Sequence, residues 1–109
     1  MICEAWQVVV VPFPFSDRQE EKKRPALVLS NKKFNRRGSS VMAMITSSAH
    51  DPWPGDSNIQ DLPAAGLPVP CKVRLKLFTL DNRLISRASG QLSGADRDTV
   101  SNHLKTNLF

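Results

Sequence analysis

Five prolines and two glycines fall between positions 52 and 70: Pro52, Pro54, Pro63, Pro68 and Pro70, with Gly55 and Gly66. Each proline removes a backbone donor, fixes φ, and pushes the residue before it out of the α region. The stretch from 50 to 70 is therefore expected to hold no helix and little regular pairing. A loop of about twenty residues is unusual in a small domain unless it is functional or contains a short strand, here around Asn58 and Ile59.

The flanking segments read as strands. Val8–Val11 is β-branched throughout, and Pro12 and Pro14 prevent it from continuing as a central strand. Asp17–Lys23 is polar and reads as an exposed loop. Strands follow at Pro25–Ser30 and Val41–Thr46, with a turn at Phe34–Gly38 between them. Lys72–Leu77 alternates strictly, which predicts Val73, Leu75 and Leu77 on the core side and Lys72, Arg74 and Lys76 facing outward. After a turn at Asp81–Asn82, Leu84–Leu92 is a further strand, weakened by Gly90. Ser93 and Asp96 resemble a capping box, and Val100, Leu104 and Leu108 recur at helical spacing. Short strands followed by a terminal helix predict a mainly β, α+β fold: a small barrel closed by a C-terminal helix.

At 109 residues the chain fits one domain, 1–109. Its 40% hydrophobic and 23% charged content argues against global disorder. The longest apolar run, Val8–Phe15, is broken by prolines and is far below the ~20 residues of a membrane span. The opening residues lack the basic region of a signal peptide, and Cys3 and Cys71 form neither a metal spacing nor a disulfide framework. These features predict a soluble cytoplasmic protein without a cofactor or bound metal.

Charge is unevenly distributed. Residues 18–37 hold eight Lys and Arg against Glu20 and Glu21, a balance of +6 within a net +5. Such a block favours a polyanionic partner, most often nucleic acid. The chain has no P-loop, dinucleotide fingerprint or nucleophile elbow. Its two histidines are His50, at the mouth of the Pro-rich stretch beside Thr46, Ser47 and Ser48, and His103, expected to be an exposed helical residue. Trp53 suits stacking on a base or plugging the core, whereas Trp6 opens the first strand. Arg24 stands directly before Pro25 and is biased to extended backbone, so its planar fork is held ready for two phosphate oxygens. Arg74, between Lys72 and Lys76, adds a second guanidinium.

Taken together, Val9–Phe15, Lys23–Ser30 and Met44–Ser48 resemble segments of the MazF/PemK-like toxins of bacterial type II toxin–antitoxin systems. Pro52–Asp56, Ala65–Pro68 and Leu77–Asp81 carry the same likeness. The resemblance implies an SH3-like barrel, a homodimer, a cognate antitoxin as protein partner, and sequence-selective cleavage of single-stranded RNA without a metal, through attack by the ribose 2′-hydroxyl. It implies catalytic roles for Arg24 on the scissile phosphate, Thr46 on the phosphate or the 2′-hydroxyl, and Arg74 as an electrostatic group. RNA-binding roles follow for Lys22, Lys23, Pro25, Ser47, Ser48, Trp53, Lys72 and Lys76. Two departures stand out. Lys76 occupies the place of a carboxylate that many members carry, and Trp6-Gln7 replaces the usual Gly-Asp before the first strand. Glu20 and Glu21 are candidate substitutes for the base. The alternatives are a nucleic-acid-binding barrel that has lost catalysis and a gyrase-binding poison of the same fold. The second lacks its expected C-terminal signature, since the chain ends Asn107-Leu108-Phe109.

Overall fold

In the computed structural model, which describes residues 1–12 and 22–109, one six-stranded antiparallel sheet curls into a half-barrel. Its strands are β1 (Gln7–Pro12), β2 (Lys23–Val28), β3 (Ser39–Ser47), β4 (Ser57–Asn58), β5 (Cys71–Asp81) and β6 (Arg87–Gln91), in spatial order β4-β5-β3-β2-β1-β6. Three helices complete it: α1 (Lys32–Asn35), α2 (Leu62–Ala65) and α3 (Gly94–Leu108). The central pairs β3–β5, β1–β2 and β2–β3 are the β-branched and apolar runs, because these bury on both faces. Phe13–Phe15, Glu20 and Glu21 lie outside the described residues.

Alternation sorts the strands into two cores. Val8, Leu27, Ala43, Ile45 and Val73 pack with Leu92 and Val100 under α3. Val9, Val11, Ala26, Val28 and Met42 pack with Cys3 and Ile85 on the opposite side. A polar knot closes the end of the second core. The buried Asn35 amide donates to the Cys3 and Ser30 carbonyls (2.8 and 3.0 Å). Asn82 Nδ2 donates to the Asn35 carbonyl (2.6 Å), and Ser40 Oγ donates to Asn82 Oδ1 (2.6 Å). No buried side-chain nitrogen or oxygen among the described residues lacks a partner, as a stable interior requires.

Several expectations from the sequence are corrected. The 50–70 stretch does hold a helix, α2, because Pro63 lies in its first turn, where a missing N–H costs nothing, and Asp61 caps it. The short strand expected near Asn58 is β4. The turn at 34–38 begins as α1, with Asn31 Oδ1 accepting from Phe34 N at 2.9 Å. The last strand is shorter than Leu84–Leu92, because Asn82–Leu84 forms a 3-10 turn. Ser93 caps α3, but Asp96 does not complete a capping box. Its buried carboxylate instead accepts from Gln60 N and Asp61 N at 3.0–3.2 Å, anchoring the α2 entry to α3. Leu108 is exposed, so the buried helical stripe ends at Leu104.

Trp6 takes φ 74°, the only non-glycine at positive φ among the described residues. Tryptophan thus takes left-handed backbone at the position where the resembled family carries glycine, at a cost of roughly 1–2 kcal/mol. It is held by Trp6 N to Val28 O (2.7 Å) and Leu92 N to Trp6 O (2.9 Å), with the indole packed on the first core. Gly90 does not merely weaken β6: a Cβ there would sit 2.3 Å from Ala64 O, so α2 seats its backbone directly on the strand. Gly66 closes α2 at φ +69°, and a Cβ on it would meet Ser89 O at 2.0 Å. Gly66→Ala is predicted to destabilise the fold by more than ~1 kcal/mol, the cost of positive φ alone. Chemical denaturation checks this; an unchanged midpoint would contradict the tight seat of α2 on β6.

Candidate active site

The site is built on one end of the sheet by strand register. Thr46 near the end of β3 pairs with Lys72 of β5, which in turn pairs with Asn58 of β4. On the other side, Ala26 pairs with Met44. Arg24 precedes Ala26 by two residues and Thr46 follows Met44 by two, so the two occupy corresponding levels of neighbouring strands. Period-two alternation gives them the same sheet face. Arg24 itself pairs with Val11 of β1 and is exposed. Thr46 and Lys72 are thus direct cross-strand partners, and extending the β2–β3 register past its end pair sets Arg24 level with them.

Between β3 and β5 the register slips. Ala43 pairs with Leu77 and Met44 with Arg74, leaving Leu75 and Lys76 as extra residues in β5. Such a bulge bends a strand and re-aims its side chains. The three cations of β5 are not a solvated face, as the alternation implied. Lys72 is buried, its Nζ donating to the His50 carbonyl at 2.5 Å and pairing with Asp56 at 3.2 Å. Arg74 grips both Asp56 oxygens through Nε and Nη2 (3.2 and 3.1 Å) and donates to the Asp51 carbonyl at 2.6 Å. Trp53, 42% exposed, has Arg74 and Lys76 over its ring at 5.8 and 5.0 Å from the centroid. The indole is therefore a shelf for cations as well as an exposed aromatic face.

Asp56 is the hub of this arrangement and was not singled out in the sequence. It also accepts from Trp53 N at 2.9 Å, while its own N–H donates back to Trp53 O at 3.0 Å, closing the Trp53–Asp56 turn. Burial pushes its carboxyl pKa up, but hydrogen bonds from Arg74, Trp53 N and Lys72 outweigh it and hold the group below its ordinary value. The signal that points to it is composition: an acid in a stretch without Lys or Arg, facing a strand that carries three.

The remaining candidates are distributed around this core. Thr46 is buried, and its Oγ1 lies 2.6 Å from His50 Nδ1. Ser47 Oγ accepts from Ala49 N at 3.2 Å, and Ser48 Oγ donates to Asn58 Oδ1 at 3.4 Å, so both shape the turn after β3. His103 is half-buried, not exposed as expected, with Nδ1 2.6 Å from Ser57 Oγ, and it ties α3 to β4. Lys22 and Lys23 are exposed at the start of β2. Lys23, Arg24, Pro25 and Arg87 line a cleft of about 230 Å³ whose other wall is Gly66–Pro68. Arg87 is a further cation that strand patterning did not single out. Among the described residues no cluster of His, Cys, Asp or Glu is arranged to hold a metal ion, and no helix is long and apolar enough to cross a membrane.

These features define a small basic half-barrel with a cation-rich sheet end. Solved structures share its fold. An endoribonuclease in complex with its cognate antitoxin, from a mycobacterial species, is 18% identical, with a TM-score of 0.77 over 97% of this chain and 94% of that one. MazF from Deinococcus radiodurans is 22% identical, with a TM-score of 0.77 over 99% and 97%. A MazE–MazF structure from the same organism gives 22% and 0.75 over 99% and 96%. No curated protein sequence matches. The sequence model of the PemK-like, MazF-like toxins of type II toxin–antitoxin systems matches residues 4–108, and the chain belongs to that family.

Asp56→Asn is predicted to destabilise the protein by on the order of 3 kcal/mol near neutral pH, the cost of stripping one partner from a poorly solvated ion cluster. Because the folded-state pKa is lowered, the stability from ionised Asp56 is present above the unfolded value of about 3.9 and is lost as pH falls through the folded value. The gap in Tm between wild type and variant should therefore narrow below about pH 4. A gap that stays constant to pH 2 would contradict this role.

Proposed function

We propose that this toxin is an endoribonuclease that cuts single-stranded RNA at selected sequences through attack by the 2′-hydroxyl, with no metal in the reaction. The observation that carries the reading is the register of β2 on β3: two residues beyond its end pair, Ala26–Met44, Arg24 and Thr46 come level on the same side of the sheet. Two features of this chain support it further: the family match over nearly the whole chain and the basic cleft beside Arg24.

In this reaction the 2′-oxygen attacks the adjacent phosphorus, the bond to the 5′-oxygen breaks, and the products are a 2′,3′-cyclic phosphate and a 5′-hydroxyl. Charge accumulates on the non-bridging oxygens at the pentacoordinate stage. Arg24, always charged and bidentate, is suited to stabilise it there. The Thr46 hydroxyl orients the 2′-hydroxyl or bonds the phosphate. Arg74 acts as a fixed electrostatic group, since a guanidinium does not give up its proton near neutral pH and this one is held by Asp56. Lys22, Lys23 and Arg87 draw in the RNA backbone, while Trp53, Ser47 and Ser48 are the groups assigned to bases and sugars in this reading. The partners of this reading are RNA, a second copy of the chain, and an acidic antitoxin that competes for the basic surface in the cytoplasm.

Arg24→Ala is predicted to lower the cleavage rate by on the order of 10²–10³-fold, the usual loss for one preorganised donor on developing charge. It should also flatten the salt dependence of RNA binding, the log–log slope falling by about 0.7 for one lost phosphate contact on a single strand. Single-turnover assays and binding titrations at several salt concentrations check both. Unchanged cleavage by Arg24→Ala would remove Arg24 from the site. RNA binding by the wild type without scission would favour a barrel that binds but does not cut.

A further inference from the structure

The reaction needs a group to accept the 2′-hydroxyl proton, and Lys76 stands where a carboxylate was expected. We propose that His50, acting through the Thr46 hydroxyl, is that proton acceptor; the proposal rests on the ribonuclease reading above. Thr46 Oγ1 and His50 Nδ1 are 2.6 Å apart, a short contact between a buried hydroxyl and an exposed ring. A threonine hydroxyl is no base on its own, but one that donates to an imidazole nitrogen can take up a proton as it hands on its own.

The backbone around His50 is fixed for this task. His50 N donates to Ser47 O at 3.1 Å, and the His50 carbonyl accepts from Lys72 Nζ at 2.5 Å. Both main-chain polar groups are thus held, one by the turn after β3 and one by β5, so the ring is carried at a set distance from Thr46. Asp56, the carboxylate that closes the Trp53–Asp56 turn, is engaged by Lys72 and Arg74 and is not a ready base. Among the described residues, the charged groups tied to the turn after β3 include Lys72, on the His50 carbonyl, Asp56, paired with Lys72, and Arg74, bound to Asp56 and to the carbonyl of Asp51; Arg24 of β2 lies level with Thr46 when the β2–β3 register is extended past its end pair.

The step balances as follows. The O2′–H bond breaks as the O2′–P bond forms. The proton goes to Thr46 Oγ1, whose own proton passes to His50 Nδ1, leaving Thr46 unchanged and His50 as imidazolium. The P–O5′ bond breaks, and the 5′-oxygen keeps the electron pair and takes a proton from water. The imidazolium returns its proton to solvent through its exposed ring. His50 is a positioning residue and the final acceptor, and Thr46 is the group that touches the substrate.

The test is single-turnover cleavage of a long mixed-sequence single-stranded RNA in EDTA, from pH 5 to 9, by wild type, His50→Asn and His50→Ala. Thermal melts establish that each variant is folded. Asn keeps a hydrogen-bond acceptor for Thr46 but cannot titrate. The wild-type log rate should rise with pH and level off within about pH 5–8, where imidazoles change charge. Both variants should lose on the order of 10²-fold or more and lose that rising limb, while still retarding RNA on a gel. A variant that keeps the wild-type rate, or a slower one that keeps the rising limb, overturns the relay. RNA left intact by the wild type itself overturns the ribonuclease reading, and the relay with it.

Discussion

One carboxylate joins the proline-rich stretch between β3 and β5 to β5 itself. Asp56 closes the Trp53–Asp56 turn through the Trp53 amide and receives Lys72 and Arg74 from the long strand β5. The stretch around it is rich in prolines and has little backbone pairing of its own to define its path. Ion pairs therefore set that path, and they set several features at once. The Trp53 ring lies under Arg74 and Lys76, the Asp51 carbonyl faces Arg74, and the His50 carbonyl faces Lys72. A poorly solvated cluster of this kind contributes little net stability over an apolar equivalent, but it fixes one arrangement, because each alternative strands a charge.

The sheet behind that loop separates structural and functional work by strand position. Its middle is filled on both faces by Val, Leu, Ile, Met and Ala side chains, while polar and charged residues gather where β2 begins and β3 ends. The bulge at Leu75 and Lys76 lets β5 bend around this end. On the far side, α2 rests its backbone on Gly90 and turns at Gly66, making one wall of the basic cleft. Glycine is needed at both places because a Cβ would overlap backbone atoms.

Much of the fold was legible in the sequence. Val8–Val11 and Val41–Thr46 fall within β1 and β3, and Pro25–Ser30 overlaps β2, which starts two residues earlier and ends at Val28, since β-branched and apolar runs bounded by breakers have few other solutions. The short strand near Asn58 and the Ser93 cap of α3 were legible for the same local reasons. What escaped depended on contacts distant in sequence. Lys72 looked like an outward residue because alternation carries no information on what covers a face, and here the loop covers it. Asp96 looked like a capping acid because its engagement with Gln60 and Asp61 crosses 35 or more residues. Proline density hid α2, since a proline in a first turn is compatible with a helix. For the proposed site, Arg24 and Thr46 are candidates that motif and resemblance supply. Asp56 and Arg87 are not, because their significance comes only from what the fold sets beside them.

The central claim is chemical: a 2′-hydroxyl displaces the 5′-oxygen, guided by an arginine and a hydroxyl on adjacent strands. The most direct measurement is to identify both ends of every fragment made from a mixed-sequence RNA in excess EDTA. The account predicts 2′,3′-cyclic phosphates and 5′-hydroxyls at a small set of recurring sequences. Fragments carrying 5′-phosphates and free 3′-hydroxyls would mean that water or another nucleophile attacks instead, and would contradict it.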